Sequence, residues 1–201
     1  IGGNVAMNAG GPHTLKNGVT TNHVLGFEMV LPDGSVEWLG TRPDGGEDVP
    51  GYDLRGAAIG CEGMFGVITR VLVRLIKKPA SFKTFLGVFE SVDEASKAVG
   101  DIIAAGIVPG ALEMMDQLIT RTIEEAYHFG FPLDAGALLI VELDGLKDGV
   151  EAQALCVEEI CRKNNAREVR IAKDDAERAA LWKCRKRAFG AVGRISPNYV
   201  T

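Results

Sequence analysis

The sequence predicts an α+β protein of two parts, an irregular glycine-rich N-terminal part and a C-terminal part with a ferredoxin-like antiparallel sheet. Three observations carry this prediction. Glycine clusters open the chain at 1–11 and recur at 60–66, next to strand patterns. Beyond about residue 80 the clusters stop, and strand patterns alternate regularly with amphipathic helix patterns. This alternation, with too few strands for a barrel, indicates a four-stranded sheet covered by helices on one face.

The N-terminal part contains two strand patterns, at 24–31 and 35–39, joined by Pro32-Asp33-Gly34. Asp-Gly between apolar runs is a strong hairpin signal, because these residues adopt the tight turns that connect antiparallel strands. The other elements predicted here are a loop and short helix before about residue 23, a polar loop at 41–51, a short helix at 52–59 and a strand at 67–76.

The C-terminal part begins near residues 79–83, so we expect domains at 1–79 and 80–201. Ser91 followed by Glu94 is a capping-box pattern, which predicts a helix start because both side chains can satisfy free N–H groups of the first turn. Gly106 ends that helix. The predicted strands are 82–89, 111–115, 137–143 and 168–172, and the predicted helices are 91–105, 117–129, 149–164 and 176–191.

Composition and charge limit the classes of function. The chain is 46% hydrophobic and 24% charged, as ordinary soluble globular proteins are. A net charge of −5 provides no broad basic field, which argues against nucleic acid as a main partner. No apolar span is long enough to cross a bilayer. The four cysteines lack C-x-x-C spacing, so we expect free thiols and a cytoplasmic location.

Two glycine-punctuated runs carry most of the functional information. They read Ile1-Gly-Gly-Asn-Val-Ala-Met-Asn-Ala-Gly-Gly11 and Gly60-Cys-Glu-Gly-Met-Phe-Gly-Val-Ile-Thr69. Glycine adopts positive φ and lets the backbone approach a ligand without a Cβ clash. Paired clusters of this kind therefore indicate either a cradle for a flat, charged cofactor or a set of tight turns and strand entries without a ligand.

The two runs, together with three further motifs, resemble the vanillyl-alcohol oxidase superfamily of FAD-linked oxidases. The further motifs are Asn8-Ala-Gly-Gly-Pro-His-Thr-Leu-Lys-Asn-Gly18, Leu31-Pro-Asp-Gly34 and Trp182-Lys-Cys-Arg185. Within the superfamily, the chain is most similar to the glycolate oxidase and D-lactate dehydrogenase group. The resemblance covers essentially the whole chain. It departs at Cys61, where the family usually has serine, and at Phe65, where leucine is usual.

The resemblance implies the nature of both parts. The N-terminal part would be the C-terminal half of a flavin-binding α+β domain, and the rest would be the incomplete cap domain of the FAD-linked oxidases, which holds the substrate. The family's first phosphate-binding loop would precede residue 1, and its His-x-Gly-Asp-Gly-Asn segment would follow residue 201. We therefore expect the chain to be an internal piece of a longer flavoprotein.

The resemblance also implies an FAD site on the two runs, the first of which is a strand-and-loop run in the family. Asn8 can hydrogen-bond the polar edge of the cofactor, or it can hold its own turn. Backbone amides and carbonyls of Gly66 to Ile68 would contact the edges of the flavin or adenine, and the Ile68 side chain would pack on the ring. The expected FAD-binding residues are Gly2, Gly3, Met7, Asn8, Ala9, Gly10, Glu62, Gly63, Met64, Phe65, Gly66, Val67 and Ile68.

The expected substrate-binding residue is Arg185. A 2-hydroxy acid must have its carboxylate fixed so that its C2 hydrogen points at the flavin, and a bidentate arginine does this best. Arg185 matches the family's Trp-x-x-Arg, although an exposed helix charge is the alternative. Arg194 and Tyr199 are second candidates. Glu113 and Asp116 also match a family motif, and we expect them to fix a strand-to-helix corner.

The implied function is FAD-dependent oxidation of a D-2-hydroxy acid, such as glycolate or D-lactate, to the 2-oxo acid by hydride transfer to flavin. Two alternatives stay open, a related flavoprotein with another alcohol substrate and a non-catalytic binding or assembly module. No catalytic acid or base is assigned. No metal-ligand spacing occurs in these residues. Partner subunits and a homo-oligomer are both open.

Overall fold

The computed structural model describes residues 1–46 and 50–195, except for the side chains of residues 189, 194 and 195. The chain divides into two compact units, Ile1–Lys78 and Pro79–Thr201. Each unit has its own sheet, with three strands in the first and four in the second among the described residues. The predicted α+β class is confirmed, since helices and antiparallel strands occur in both units.

The N-terminal unit is built on an antiparallel sheet with β1 in the centre. Its strands are β1 (Val24–Val30), β2 (Val36–Gly40) and β3 (Val67–Val73). Its helices are α1 (Gly2–Ala6), α2 (Thr14–Asn17) and α3 (Leu54–Ala58), and a 3₁₀ turn spans Thr20–Asn22. Helix α1 places Val5 in a small core that also contains Val24, Phe27, Met29, Ala58 and Ile68.

The predicted hairpin between β1 and β2 is confirmed. Leu31 N–H donates to the carbonyl of Ser35 at 2.9 Å, and Gly34 has the positive φ of 84° that the turn needs. The Asp33 carboxylate accepts from the N–H and the hydroxyl of Ser35. These bonds explain why the Pro-Asp-Gly sequence is sufficient to predict the turn.

The C-terminal unit is built on a four-stranded sheet. Its strands are β4 (Ser81–Phe89), β5 (Ala111–Asp116), β6 (Ala137–Gly145) and β7 (Glu168–Ile171). Their spatial order is β5-β6-β4-β7, and every neighbouring pair is antiparallel. This strand order is that of the ferredoxin-like fold, as predicted.

Helices cover both faces of this sheet, and not one face as the sequence pattern predicts. The helices are α4 (Val92–Ala104), α5 (Gln117–Tyr127), α6 (Lys147–Lys163) and α7 (Asp175–Ile195). Helices α4 and α6 share a core with Phe85, Leu139 and Val141. Helices α5 and α7 share the opposite core with Leu86, Leu138 and Ile140. The physical reason is visible in β6, where all residues from Ala137 to Leu143 are buried, as in a strand covered on both sides.

Candidate functional site

The two glycine runs lie side by side in the N-terminal unit. The N–H of Gly60 donates to the carbonyl of Val5 at 3.0 Å, and the N–H of Glu62 donates to that of Ala6 at 2.8 Å. These bonds tie the end of α1 to the loop between α3 and β3. The family's strand-and-loop geometry does not hold for the start of the first run, because residues 2–6 form α1.

Two of the expected site glycines are required by the packing of the chain itself. A Cβ on Gly2 would overlap the carbonyl oxygen of Ile68, and a Cβ on Gly66 would overlap that of Val30. By contrast, a Cβ on Gly3 or Gly63 would meet no described atom within 4 Å. Only the second pair therefore leaves bare backbone facing open space, where a ligand can approach.

The expected site also presents apolar side chains to solvent. Met7, Met64, Phe65 and Val67 are between 52% and 81% exposed. Large exposed apolar groups in one region mark a surface that another molecule or segment covers. Ile68 is different: its side chain is buried in the core with Val5, and its predicted contact with a flavin ring stays a prediction. Strand alternation explains this, since Val67 and Ile68 point to opposite faces of β3.

Asn8 and Glu62 both have left-handed backbones, with φ of 45° and 52°. The side-chain oxygen of Asn8 accepts the N–H of Thr21 at 2.9 Å. Thr21 lies in the 3₁₀ turn before β1, so this oxygen stabilises a distant turn and not the turn of Asn8 itself, and contact of Asn8 with the cofactor stays a prediction. Asn8 thereby fixes the first run against the 3₁₀ turn before β1, which sets the position of the neighbouring Ala9 and Gly10.

Ala9 and Gly10 line a surface pocket of about 340 Å³ in the N-terminal unit. His13, Val24 and Val73 are among its other lining residues. The volume is within the range of small-molecule sites. Ala9 and Gly10 are the two expected FAD-binding residues among the described residues of this lining. The sequence does not predict the contribution of β1 and β3, because those strands meet the first run only in the folded unit.

Arg185 lies in a pocket of about 200 Å³ in the C-terminal unit. Its Nη2 is 3.0 Å from Oε1 of Glu113 on β5, and the two side chains are 29% and 21% exposed. The other lining residues are all apolar: Met114, Met115, Ile119, Ala188 and Val192. Arg185 is therefore not a fully exposed helix charge. One nitrogen of its guanidinium contacts Glu113, and the group carries further N–H donors.

The two acidic residues of β5 have different roles. Asp116 caps α5, since its Oδ1 accepts the N–H of Ile119 at 2.8 Å, as expected for a strand-to-helix corner. For Glu113 that expectation is wrong, because its carboxylate pairs with Arg185. The sequence gives no signal for this pairing, which depends on α7 packing over β5.

A buried carboxylate anchors the helix that carries Arg185. Glu142 on β6 is 1% exposed and accepts from Trp182 Nε1 at 2.6 Å. It also accepts from Arg178 Nε at 2.7 Å and from Thr84 Oγ1 at 2.9 Å. Arg178, Trp182 and Arg185 follow one another at helical spacing, so they share one face of α7. The sequence predictions miss this cluster, although a lone glutamate in an apolar strand is its signal.

The surroundings of Glu142 keep it ionised. Burial acts to raise the pKa of this carboxyl, but the hydrogen bonds from Arg178, Trp182 and Thr84 outweigh burial and lower the pKa below its ordinary value of 4.5. The same pair raises the pKa of Arg178, mainly through its hydrogen bond to Glu142. Glu142 is therefore a fixed negative charge beneath α7 at neutral pH.

Two other kinds of feature do not occur within residues 1–46 and 50–195. Within these ranges no group of three or more His, Cys, Asp or Glu side chains is placed to hold a metal ion. No helix in the same ranges combines the length and the apolar character needed to span a bilayer. Tyr199 and the side chain of Arg194, the second-line substrate candidates, lie outside the described part of the chain.

Family models match both units. The model for the C-terminal domain of FAD linked oxidases matches residues 78–201, and an FAD binding domain model matches residues 1–40. The chain belongs to the FAD-linked oxidase family. FAD is thus the cofactor of this family.

Relatives of the chain are named as glycolate oxidase subunits and D-lactate dehydrogenases. Glycolate oxidase subunit GlcD of Escherichia coli (strain K12) is 49% identical over 199 residues, which are 99% of this chain and 39% of that protein. A probable mitochondrial D-lactate dehydrogenase of Danio rerio is 29% identical over 199 residues, which are 98% of this chain and 39% of that protein. The chain thus spans about two fifths of the length of these relatives.

A solved structure supports the fold. Alkyldihydroxyacetonephosphate synthase matches with a TM-score of 0.63 and 20% identity, over 81% of this chain and 31% of that one. At this identity the likeness concerns the fold alone, and it agrees with the α+β architecture of this chain.

The residues of the N-terminal unit fit FAD. The cofactor has a flat ring system, which needs apolar surface and close approach of bare backbone. Gly3 and Gly63 leave open space where a side chain would stand, and Met7, Met64 and Phe65 expose apolar surface in the same two runs. The two runs therefore form a wall whose chemistry suits the ring of the cofactor.

Proposed function

We propose that the full-length protein, meaning a chain of the length of its relatives that contains these residues, oxidises a D-2-hydroxy acid to the 2-oxo acid. Glycolate and D-lactate are the proposed substrates. FAD, when bound, supplies the hydride acceptor. The observation that carries this proposal is the position of Arg185, a single arginine in a small pocket whose other lining residues are apolar except for Glu113.

Arg185 binds the carboxylate of the substrate. Its guanidinium retains N–H donors beyond the contact with Glu113, and two such donors match the two oxygens of a carboxylate. The pocket of about 200 Å³ is smaller than those that hold drug-sized ligands, which favours short acids. Met114, Met115 and Ile119 offer apolar contact to a methyl group such as that of lactate.

In this proposal FAD binds to the expected N-terminal domain, residues 1–79. Gly3, Met7, Gly63, Met64, Phe65 and Val67 provide its contact surface, because they are exposed or face open space. The remaining predicted residues act through the backbone or by holding the two runs in place: Gly2, Asn8, Ala9, Gly10, Glu62, Gly66 and Ile68. Residues 80–201 form the substrate-binding domain.

The full-length protein is also proposed to work with partner subunits. The E. coli relative is by its name a subunit of glycolate oxidase. Co-purification of the tagged full-length protein from its own organism, followed by mass spectrometry, tests this point. A preparation that oxidises hydroxy acids as a single chain would contradict it.

The substrate proposal is tested by steady-state kinetics of the FAD-loaded full-length protein with an artificial electron acceptor. The compounds are glycolate, D-lactate, L-lactate and propane-1,2-diol, which lacks the carboxylate. We expect turnover of the first two and little with the diol. Arg185→Lys should lower kcat/KM about tenfold or more, which is about 1.4 kcal/mol, because lysine cannot donate two parallel N–H bonds to one carboxylate. The FAD content of this variant should be unchanged.

A matched control lies one half-turn along the same helix. Arg187 stacks over the ring of Tyr127 at 4.7 Å and does not line the pocket of Arg185, so Arg187→Lys should leave the kinetics near those of the parent. Oxidation of other alcohols without any hydroxy acid would favour a different flavoprotein of the family. A full-length protein that never binds FAD would favour a binding or assembly module.

A further inference from the structure

We infer that Glu113 is a positioning residue, which orients the guanidinium of Arg185 toward a monocarboxylate ligand in the pocket they share. The identity of that ligand as a D-2-hydroxy acid rests on the proposed function, whereas the orientation rests on the ion pair itself. No role for Glu113 follows from the family motif alone, and the strand-to-helix corner is held by Asp116 instead.

Glu113 is well placed to fix a long, flexible side chain. It lies within β5, opposite Ile140 of the inner strand β6, so its backbone is held by the sheet. Its Oε1 is 3.0 Å from Nη2 of Arg185. An arginine side chain has several rotatable bonds, and a charged partner on a rigid strand removes much of that freedom before a ligand arrives.

The other end of the Arg185 side chain is fixed as well. Trp182, one turn earlier on α7, donates to the buried Glu142 at 2.6 Å, and Arg178 donates to the same carboxylate at 2.7 Å. These bonds set the rotation of α7 over the sheet. Glu142 therefore places the backbone of Arg185, and Glu113 places its head group.

This arrangement leaves a defined part of the guanidinium for a ligand. Glu113 and Arg185 are the two charged residues among those that line the pocket, and the remainder of the lining is apolar. An anion can thus pair only with the donors of Arg185 that Glu113 does not use. Because the same orientation serves the bound substrate and the transition state, its loss should raise KM more than it lowers kcat.

The experiment is a double-mutant cycle in the FAD-loaded full-length protein, with D-lactate as substrate. Glu113→Gln should raise KM about threefold to tenfold, as expected when one side chain must be ordered on binding, and should leave kcat within about twofold. In the Arg185→Lys background the same change should have no further effect, because Glu113 acts through Arg185. A KM that is unchanged or lower in Glu113→Gln would overturn the inference.

Two controls separate positioning from a merely structural role. Glu158→Gln removes the carboxylate of a surface pair with Arg162 at 2.7 Å on α6 and should change neither KM nor kcat. Thermal unfolding of Glu113→Gln should be close to that of the parent. If Glu113→Gln causes the same loss of activity in the parent and in the Arg185→Lys background, together with lower stability, then Glu113 only supports the fold.

A second readout distinguishes failure of this inference from failure of the proposed function. Selectively labelled arginine in the full-length protein gives an NMR signal for Nε–H of Arg185, which we expect to be sharp and to shift when propionate is added. In Glu113→Gln the NMR signal of Arg185 Nε–H should broaden, and propionate should bind more weakly. If hydroxy acids are not oxidised but these NMR changes occur, the proposed function fails and the positioning role stands. If the NMR signal is the same in both proteins, the positioning role fails.

Discussion

Trp182 Nε1 donates a hydrogen bond of 2.6 Å to Oε2 of Glu142. Trp182 lies on α7, and Glu142 lies at an inner strand of the four-stranded sheet. The bond therefore ties the helix that carries Arg185 to the centre of the C-terminal unit. Arg178 and Thr84 complete the set of donors, so that a carboxylate that is 1% exposed has its charge compensated.

Removal of this carboxylate should destabilise the C-terminal unit. Glu142→Ala removes the buried partner of Arg178 and the carboxylate that accepts from Trp182 Nε1, which should lower the free energy of unfolding by at least about 2 kcal/mol. Urea unfolding of the 201-residue chain, followed by the fluorescence of Trp182 in a Trp38→Phe background, measures this. A loss below about 0.5 kcal/mol would show that the cluster contributes little.

Trp182→Phe is the milder counterpart of that change. It keeps an aromatic ring in the core between α7 and the sheet but removes the N–H donor to Glu142, while Arg178 and Thr84 still donate to the carboxylate. We expect a loss of about 1 kcal/mol, smaller than that of Glu142→Ala. Circular dichroism in urea follows both variants by the same probe. A loss for Trp182→Phe as large as that for Glu142→Ala would contradict this order.

Stability should fall at acidic pH through Glu142. The folded-state pKa of this group is below its ordinary value of 4.5, so the unfolded chain binds the proton more readily. The stabilising contribution is complete above the unfolded pKa and is lost as the pH falls from about 4.5 through the lower folded pKa. In Glu142→Gln the free energy of unfolding should fall less steeply over the same acidic range. An identical pH slope for both proteins would contradict the assignment.

The glycines of the two runs should separate folding from FAD binding. Gly66→Val should disturb the pairing of β1 with β3 and cost roughly 1–3 kcal/mol, because a side chain there overlaps the carbonyl of Val30. A Cβ at Gly3 would meet no described atom within 4 Å, so Gly3→Val should lower the free energy of unfolding less than Gly66→Val does, while it lowers the affinity of the full-length protein for FAD. Flavin titration and thermal unfolding measure the two effects. Normal FAD affinity in Gly3→Val would remove Gly3 from the contact surface.

The cysteines should differ in reactivity. Burial is the main cause that raises the pKa of Cys161 to about 11 and that of Cys184 to about 12, so neither forms much thiolate at neutral pH. Cys61 and Cys156 are half-buried. Brief treatment of the folded chain with iodoacetamide should label Cys61 and Cys156 before the other two, as peptide mass spectrometry can show. Early labelling of Cys184 would mean that α7 opens from the sheet.

Much of the fold can be predicted from local sequence signals. Asp33-Gly34 predicts the hairpin, and Ser91 predicts the start of α4. In the structure the Ser91 hydroxyl accepts the N–H of Glu94 at 3.2 Å. Such signals depend on a few neighbouring residues, and tertiary packing agrees with them. The coverage of both sheet faces is less evident, because helix patterns do not say on which side of a sheet a helix packs.

The candidate sites are only partly predictable. The sequence proposes the glycine runs and Arg185 as candidates. It does not distinguish Gly2, where a Cβ would overlap the carbonyl oxygen of Ile68, from Gly3, which faces open space. It also does not show that Glu113 pairs with Arg185. These facts depend on which distant segments meet, and a single sequence contains no direct signal for such contacts.

The most direct test of the proposed activity is anaerobic mixing of the FAD-loaded full-length protein with D-lactate or glycolate. We expect the absorbance of oxidised flavin to bleach, the 2-oxo acid to form in equal amount, and Arg185→Lys to slow the reaction at low substrate concentration. Flavin that stays oxidised with every D-2-hydroxy acid, yet is reduced by dithionite, would contradict the proposal.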